Sequence, residues 1–466
     1  MSWDGRSGSW TIFGDDKPTL QFTSERQEEQ KAGPRIPTAS IVGTWPVENS
    51  SGQFVLIHVQ HREDFTDPSD SPIFVQYARV TGLPTEIIQQ YLIKPQDCAL
   101  LSGVEGTAET RPEISVIIST ESGAKQASGF FKRGLKSVLE TLGVYSHCKI
   151  YVTESEQSIT GFARSIFAPK SLEGIKQTVI LLSGDGGTID LVNVLAEEVK
   201  GRQHAPVTLI PLPLGSGNAL SNSYKYNQDD TMGLSTLVRG RRRTLPIFRV
   251  AFSSGARLVA NQGREEHELP LYDGQPSMYG VVVCSWGLHA SLVADSDTAH
   301  YRQFGSARFQ MVAKQLMFPE DGSPMHEYTG RVSFLKGDGG EKTVLERNSH
   351  SYVLATLVSN LEKTFCISPD SKALDGELRL VELPAMAGEE LTTVMMAAYN
   401  DGQHVHNKRV GYHTIDRLEI AFEEEDEKWR RVCIDGKIVK IDKGGYLRLT
   451  KEGDGLVNLV CLQTKE

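Results

Sequence analysis

The sequence predicts an α/β lobe followed by an antiparallel β-sandwich lobe, with a small β-rich module at the N-terminus. Between residues 111 and 245, short apolar runs alternate with amphipathic helical patterns, and glycine-rich turns join them, which is typical of an α/β domain. Beyond residue 245, many short alternating segments are separated by Gly and Asp turns, which predicts the sandwich. We therefore expect domains at residues 1–110, 111–245 and 246–466.

The composition excludes several classes of protein. Of 466 residues, 39% are hydrophobic and 23% charged, which is typical of a globular protein, and the net charge of -10 argues against nucleic acid as the main partner. Residues 1–10 lack the pattern of a signal peptide, and no run approaches the ~20 apolar residues of a transmembrane segment. The six cysteines form no C-x-x-C pair, which favours reduced thiols in an intracellular protein.

The N-terminal region divides into two parts. Residues 15–41 are polar and charged, with three prolines, and predict a loose arm or loop. Between residues 54 and 83, two alternating runs flank an Asp/Pro/Ser-rich turn at residues 64–72, which predicts two paired strands.

The α/β lobe begins with the apolar run at residues 114–118, which predicts a buried strand. A Ser/Thr/Gly turn at residues 119–123 follows, and then a helical pattern of apolar residues up to position 142. Residues 149–152 predict the next strand, which ends at Thr153.

The most informative segment is SGDGGT at residues 183–188. It lies between the apolar run at residues 178–182 and a helical pattern, so it predicts a strand, a glycine turn and a helix N-terminus. The free N–H groups and the dipole of a helix N-terminus favour an anion such as phosphate, and glycine allows close approach of the backbone. Residues 207–220 repeat the arrangement, with GSGNAL as the turn. Two such loops at neighbouring strand ends predict a phosphate cradle.

Two common nucleotide-binding motifs are absent from the sequence. It contains no G-x-x-x-x-G-K-[ST] string, so a P-loop lysine is not available. It also contains no G-x-G-x-x-G string, which argues against an ordinary dinucleotide site.

Four motifs together resemble a known family. They are SGDGG with Asn193, PLGSGNAL at residues 213–220, SWGLHAS at residues 285–291 and YRQFGSARF at residues 301–309. In this order they resemble the diacylglycerol kinase catalytic superfamily, on its sphingosine and ceramide kinase side, over about the last three quarters of the chain. The resemblance implies a Rossmann-like nucleotide lobe of the NAD kinase/diacylglycerol kinase type, a β-sandwich lobe, and ATP with Mg²⁺ bound between them.

The resemblance also implies roles for individual residues. Asp185 would be the general base that accepts the proton of an acceptor hydroxyl, and Arg302 and Arg308 would offset charge on the transferring phosphate. Lys437 stands where the family has an acid, after the matching Asp435. No metal ligand is assigned. The residues expected to bind the nucleotide are Ser119, Gly123, Thr153, Ser183, Gly184, Gly186, Gly187, Asp190, Ser216, Gly217, Asn218, Arg302, Arg308, Asp435 and Lys437.

The acceptor is expected to contact Ser291, Asp295 or Asp297. In sphingosine kinases an Asp that faces the lipid amine stands at the position of Ser291, and Asp295 or Asp297 could replace it. Because a buried ammonium without a carboxylate costs several kcal/mol, Ser291 favours a neutral acceptor such as a diacylglycerol or a ceramide-like lipid. A sphingoid base is the alternative acceptor.

We expect a lipid kinase in the cytoplasm that meets its lipid through peripheral contact with intracellular membranes. The arginines at positions 239 and 241–243 could contact anionic lipid, although a solvated loop is favoured. Two alternatives stay open. A kinase of the NAD kinase type would use a nucleotide acceptor, and a catalytically impaired protein would only bind lipid or nucleotide.

Overall fold

The computed structural model of the protein describes residues 8–14, 16–24, 35–47, 50, 52–62, 70–101, 112–227, 229–305, 307–336, 340–453 and 455–462.

The N-terminal module consists of two three-stranded antiparallel sheets, β1-β2-β3 and β4-β5-β6. Trp10, Leu20 and Phe22 from the first sheet pack with Leu56 and Val80 from the second in one small core. The two predicted strands pair in antiparallel register, which confirms the hairpin, and its turn lies largely outside the described residues. The elements are β1 (Gly8–Phe13), β2 (Thr19–Ser24), β3 (Arg35–Pro37), β4 (Ile41–Pro46), β5 (Gln53–His61), β6 (Ile73–Thr81) and α1 (Thr85–Tyr91).

The prediction of a loose arm at residues 15–41 is wrong where the structure describes this segment. β2 and β3 lie within it, and they pair in a sheet with β1. The prolines do not prevent this pairing: Pro18 precedes β2, and Pro37 ends a short strand at the edge of its sheet.

The α/β lobe follows in the predicted order. A π-helical turn joins α2 to α3, and another joins α4 to α5. The elements are β7 (Glu113–Ile118), α2 (Ala127–Phe130), α3 (Lys136–Thr141), β8 (Cys148–Val152), α4 (Ser158–Phe162), α5 (Ala168–Leu172), β9 (Gln177–Ser183), α6 (Asp185–Val199), β10 (Val207–Pro213), α7 (Ala219–Ser223), α8 (Leu234–Arg239) and β11 (Arg241–Thr244).

The second lobe is a 15-stranded sheet in which every strand pair is antiparallel. This sheet curls on itself, and Trp286 lies in its core with its ring centroid 5.3 Å from that of Phe422. Its elements and the last strand are β12 (Ile247–Phe252), β13 (Arg257–Ala260), β14 (Glu265–Glu268), β15 (Leu271–Tyr272), β16 (Gln275–Gly280), β17 (Val283–Gly287), α9 (Leu288–Ser296), α10 (Ala299–Arg302), α11 (Ala307–Met317), β18 (Tyr328–Leu335), β19 (Lys342–Val344), β20 (Ser349–Thr356), β21 (Leu378–Pro384), α12 (Gly388–Met396), β22 (Gly411–Ile415), β23 (Arg417–Phe422), β24 (Arg431–Ile434), β25 (Lys437–Lys440), β26 (Tyr446–Glu452) and β27 (Val457–Cys461).

The sheet of the α/β lobe has the strand order β11-β27-β10-β9-β7-β8. Its central strands β7, β9 and β10 are parallel, and β9 and β10 are buried along their whole length, which explains their continuous apolar sequences. The last strand, β27, pairs in parallel with β10 although it follows the antiparallel lobe. The chain therefore crosses between the lobes twice, which ties them together. The expected domain boundaries stay a prediction.

The basic segment after α8 is not a solvated loop. Arg241 and its neighbours form β11, which pairs with β27. Arg239 donates to the carbonyl of Gln90, Arg241 pairs with Asp97 at 2.7 Å, and Arg242 donates to the carbonyl of Ala99. These arginines hold the N-terminal region against the α/β lobe.

Candidate active site

Two glycine loops meet at the carboxyl ends of β9 and β10. The strands are adjacent and parallel, with Ser183 opposite Pro213, so the turns that follow them lie side by side. A Cβ atom on Gly215 would lie 2.2 Å from the Cα of Gly184, and one on Gly184 would lie 2.6 Å from the carbonyl oxygen of Gly217. Only glycine allows this approach of the two backbones.

Asp185 lies at the start of α6 and reaches the second loop. Its two carboxylate oxygens accept the backbone N–H groups of Ala219 at 2.7 Å and Leu220 at 3.1 Å, and its own N–H donates to Gly217. The side chain is half-buried in the cleft, and its desolvation there raises the pKa of the carboxyl group, against the effect of the two hydrogen bonds.

The second turn therefore differs from the predicted phosphate cradle. The first N–H groups of α7 face the carboxylate of Asp185, so they are not free to bind a phosphate. The amide of Asn218 binds both the N–H and the carbonyl of Gly215 and fixes the turn. Ser216 and Gly217 line the cleft beside it, together with Asn218.

A third loop, which follows β7, completes this end of the cleft. Gly123 has φ +54°, and a Cβ there would lie 2.6 Å from the carbonyl oxygen of Leu214. The Ser122 hydroxyl lies within hydrogen-bond distance of the hydroxyls of Ser119 and Ser183. Thr153 accepts two hydrogen bonds from Thr120, one from its backbone N–H and one from its hydroxyl. The structure thus brings Ser119, Gly123, Thr153, Ser183, Gly184, Gly186, Gly187 and Asp190 together in one cleft.

The two arginines from the antiparallel lobe also line this cleft. Arg302 forms a bidentate pair with Asp297, at 2.9 and 3.1 Å, and also contacts Glu156 at 3.3 Å. Arg308 lies 3.9 Å from Asp297, and its buried Nε has no hydrogen-bond partner among the described residues. Both guanidinium groups therefore stand at the cleft, held by acidic side chains.

Asp435 and Lys437 lie on the hairpin between β24 and β25. The buried carboxylate of Asp435 accepts the N–H groups of Val281, Val282 and Val283, and burial raises its pKa to about 7. Lys437 forms an ion pair with Asp190, with 2.8 Å between Nζ and Oδ1. Both residues line the cleft, but the oxygens of Asp435 already bind the backbone of its own lobe.

The three residues expected to meet the acceptor lie in different surroundings. Ser291 is buried and accepts a hydrogen bond from the hydroxyl of Tyr328 at 2.9 Å. Asp295 pairs with Arg431 at 2.7 Å. Neither Ser291 nor Asp295 lines the cleft, because both lie on the face of α9 turned away from it, whereas Asp297 does line it.

Sequence reasoning missed His289, which lies on the cleft-facing side of α9. A hydrogen bond of 2.7 Å joins its Nδ1 to the hydroxyl of Ser285, and burial lowers its pKa to about 4. The imidazole is therefore neutral near pH 7. The signal in the sequence was the histidine of the SWGLHAS motif, which directly follows the cleft residue Leu288.

The cleft continues from the glycine loops into an apolar region between α9, α11 and α12. Its total volume is about 2020 Å³. At the apolar end the walls are mainly side chains of Leu, Phe and Met, with one acid, Glu362, among them. The apolar residues there are Leu288, Leu292, Phe309, Met317, Phe318, Leu361, Phe365, Met395 and Met396.

Within the described part of the chain, no group of three or more His, Cys, Asp or Glu side chains is placed to hold a metal ion. In the same ranges, no helix is both long and apolar enough to cross a membrane.

Comparisons with known proteins agree with this geometry. Residues 113–250 match the family model of the diacylglycerol kinase catalytic domain. Sphingosine kinase 2 of Arabidopsis thaliana is 25% identical over 240 residues, which are 50% of this chain and 42% of that protein. Sphingosine kinase 1 of the same plant is 21% identical over 378 residues, which are 72% of this chain and 70% of that protein.

A solved diacylglycerol kinase structure from Bacillus anthracis str. Sterne superposes with a TM-score of 0.50 at 13% identity, over 75% of this chain and 97% of that one. It supports the two-lobed fold. The fold, the glycine loops and the family match agree: residues 113–250 match the diacylglycerol kinase catalytic domain, and sphingosine kinases are among the proteins to which the chain is similar.

Proposed function

We propose that this chain is an ATP-dependent lipid kinase that phosphorylates a hydroxyl group of a long-chain lipid. One observation carries the proposal: a single cleft joins the glycine loops at one end to an apolar region at the other. The first end suits a nucleotide, and the second suits a hydrocarbon chain. The names of the relatives, which are sphingosine kinases, support a lipid acceptor.

Asp185 is the proposed general base. Its carboxylate would accept the proton of the acceptor hydroxyl while the hydroxyl oxygen attacks the γ-phosphorus of ATP and ADP leaves. The position in the cleft supports this role, because desolvation there raises the pKa of the carboxyl group and so raises its basicity. The hydrogen bonds from Ala219 and Leu220 would hold the carboxylate in one orientation during the transfer.

ATP would lie along the three loops, and Arg302 and Arg308 would offset charge on the transferring phosphate. To do so, Arg302 would turn its Nη1 from Glu156 to a phosphate oxygen, while its Nε and Nη2 keep the bidentate pair with Asp297. Mg²⁺ would enter as MgATP, held mainly by phosphates and water, as is usual for this ion. Asp190, which lines the cleft beside the first glycine loop, would be a candidate for a protein contact, and Lys437 already pairs with it.

The lipid would reach the cleft from a membrane surface. Phe318 and Met396 line the apolar end of the cleft and are 39% and 58% exposed, which is unusual for large apolar side chains at a cleft edge. Peripheral contact of this edge with a membrane would cover both side chains. A cytoplasmic enzyme that docks on intracellular membranes would fit this arrangement.

The test is a phosphorylation assay with γ-labelled ATP and Mg²⁺, in which diacylglycerol, ceramide, sphingosine and NAD are offered separately. We expect labelled lipid in the organic phase. Label that appears only in the aqueous phase with NAD would contradict the lipid proposal and favour a nucleotide kinase. ATP binding without any labelled product would favour a binding protein.

A further inference from the structure

The carboxylates that line the cleft near the glycine loops are already compensated. Asp190 pairs with Lys437, and Asp297 pairs with Arg302. Asp185 and Asp435 accept two and three backbone N–H groups. A cationic headgroup at this end would have to compete for a carboxylate that already has partners, and a buried ammonium without one is unfavourable.

The acids on α9 do not change this balance. Asp295 lies away from the cleft and pairs with Arg431, and Ser291 is held inside the lobe by Tyr328. Of the remaining described acids of the cleft, Glu121, Glu154 and Glu156 lie at its exposed rim.

His289 offers a different kind of recognition. Its Nδ1 is occupied by Ser285, which is the one hydrogen bond that the ring forms with the described residues, so Nε2 is open to a ligand. Because the ring is neutral near pH 7, Nε2 can donate to a carbonyl oxygen or accept from a hydroxyl group, depending on the tautomer. A neutral headgroup supplies both kinds of group.

We propose that the acceptor is a neutral long-chain lipid alcohol, with hydroxyl and carbonyl groups but no ammonium in its headgroup, and that His289 binds this headgroup. This inference rests on the lipid kinase activity proposed above. His289 is a specificity-determining residue in this account, and Asp185 stays the base.

Glu362 is the acid that could support the opposite choice. It lines the apolar end of the cleft, and the only hydrogen bond of its carboxylate among the described residues is a contact of 3.4 Å with the hydroxyl of Tyr399. Burial raises its pKa, which disfavours the charged form that an ammonium would need.

A matched pair of lipids tests the proposal. Sphingosine and N-acetylsphingosine share the acceptor hydroxyl and the chain, and only the first carries an ammonium. In mixed micelles with γ-labelled ATP at pH 7, we expect kcat/KM for N-acetylsphingosine or for diacylglycerol to exceed that for sphingosine about tenfold or more. If the kcat/KM for sphingosine equals that for either neutral lipid, the proposal is overturned, whichever acid binds the ammonium. If no lipid is labelled, the kinase proposal itself fails, which is a different result.

Variants of His289 test its role. We expect His289→Leu to lower kcat/KM for the preferred lipid about tenfold or more, with the KM for ATP unchanged. His289→Gln, whose amide can place a nitrogen near the position of Nε2, should recover part of the loss. The exposed His267 gives the control, and His267→Leu should change neither value. Full lipid activity in His289→Leu, with unchanged ATP kinetics, would show that His289 does not bind the headgroup.

Discussion

Lys437 and Asp190 join the two lobes through an ion pair of 2.8 Å at the base of the cleft. Asp190 lies on α6, which begins at the first glycine loop, and Lys437 lies on the hairpin of the antiparallel lobe. The ammonium therefore stands beside the proposed phosphate site, where the related family has an acid. A cation at this point would compensate charge on the nucleotide in the proposed site.

We predict that Lys437→Met raises the KM for ATP about tenfold, because one positive charge near the phosphates is lost. The free energy of unfolding should change by less than about 1 kcal/mol, since the pair is partly exposed. Steady-state kinetics with varied ATP and a urea unfolding curve measure both effects. Lys443→Met on the exposed surface is the control. An unchanged KM for ATP would place Lys437 outside the nucleotide site.

Alanine substitution at two glycines of the loops should have different effects on stability. In Gly215→Ala, the new Cβ would meet the Cα of Gly184 at 2.2 Å, so the loops must separate, and both the melting temperature and ATP binding should fall. In Gly186→Ala, the Cβ meets no atom within 4 Å, so the fold should be kept. Calorimetric melting and ATP titration of both variants test this contrast. Equal melting temperatures for the two would show that the close contact is not required.

Asn193 connects the lobes through its side-chain amide. It donates to the carbonyl of Tyr279 at 3.0 Å and accepts the N–H of the same residue at 2.9 Å. Asn193→Leu should lower the free energy of unfolding by about 2–4 kcal/mol, because two buried backbone groups lose their partner. Denaturant unfolding measures the loss. Glu198→Leu, on the exposed side of the same helix, should cost less than about 1 kcal/mol, and an equal loss in both would refute the assignment.

The stability of the protein should depend on pH through His350. This side chain is fully buried, and burial lowers its pKa from 6.5 to about 4. Between these values the unfolded chain binds a proton that the folded chain does not, so stability is present above pH 6.5 and is lost as the pH falls toward 4. His350→Phe should remove about 2–3 kcal/mol of this pH dependence, measured by unfolding at pH 4 and pH 7. If the free energy of unfolding of His350→Phe depends on pH as strongly as that of the wild type, the prediction is contradicted.

Much of the fold could be predicted from local patterns. The buried strands β9 and β10 are continuous apolar runs followed by glycine turns, so both their positions and the position of the cleft were readable. β12 and β23 lie in the region beyond residue 245, where the sequence predicts many short alternating segments. In these cases the information lies within a few neighbouring residues.

The contacts that need two distant segments could not be predicted. The hydrogen bonds from Ala219 and Leu220 to Asp185 depend on how closely the two loops approach, and the pairing of β27 with β10 depends on the return of the chain from the other lobe. On α9, the sequence motif pointed to Ser291, but the packing of Tyr328 turns that face inward and leaves His289 at the cleft. Which face of a short helix is buried follows from its neighbours.

The central claim is that Asp185 is the base of a lipid kinase, and a single-turnover assay of Asp185→Asn tests it most directly. Enzyme saturated with γ-labelled ATP is mixed with its preferred lipid, and ATP binding is measured on the same sample to show that the loops are intact. The account predicts ATP affinity within a few-fold of wild type and phosphoryl transfer that is about 10²–10⁴-fold slower. Transfer at the wild-type rate, with ATP bound normally, would contradict it.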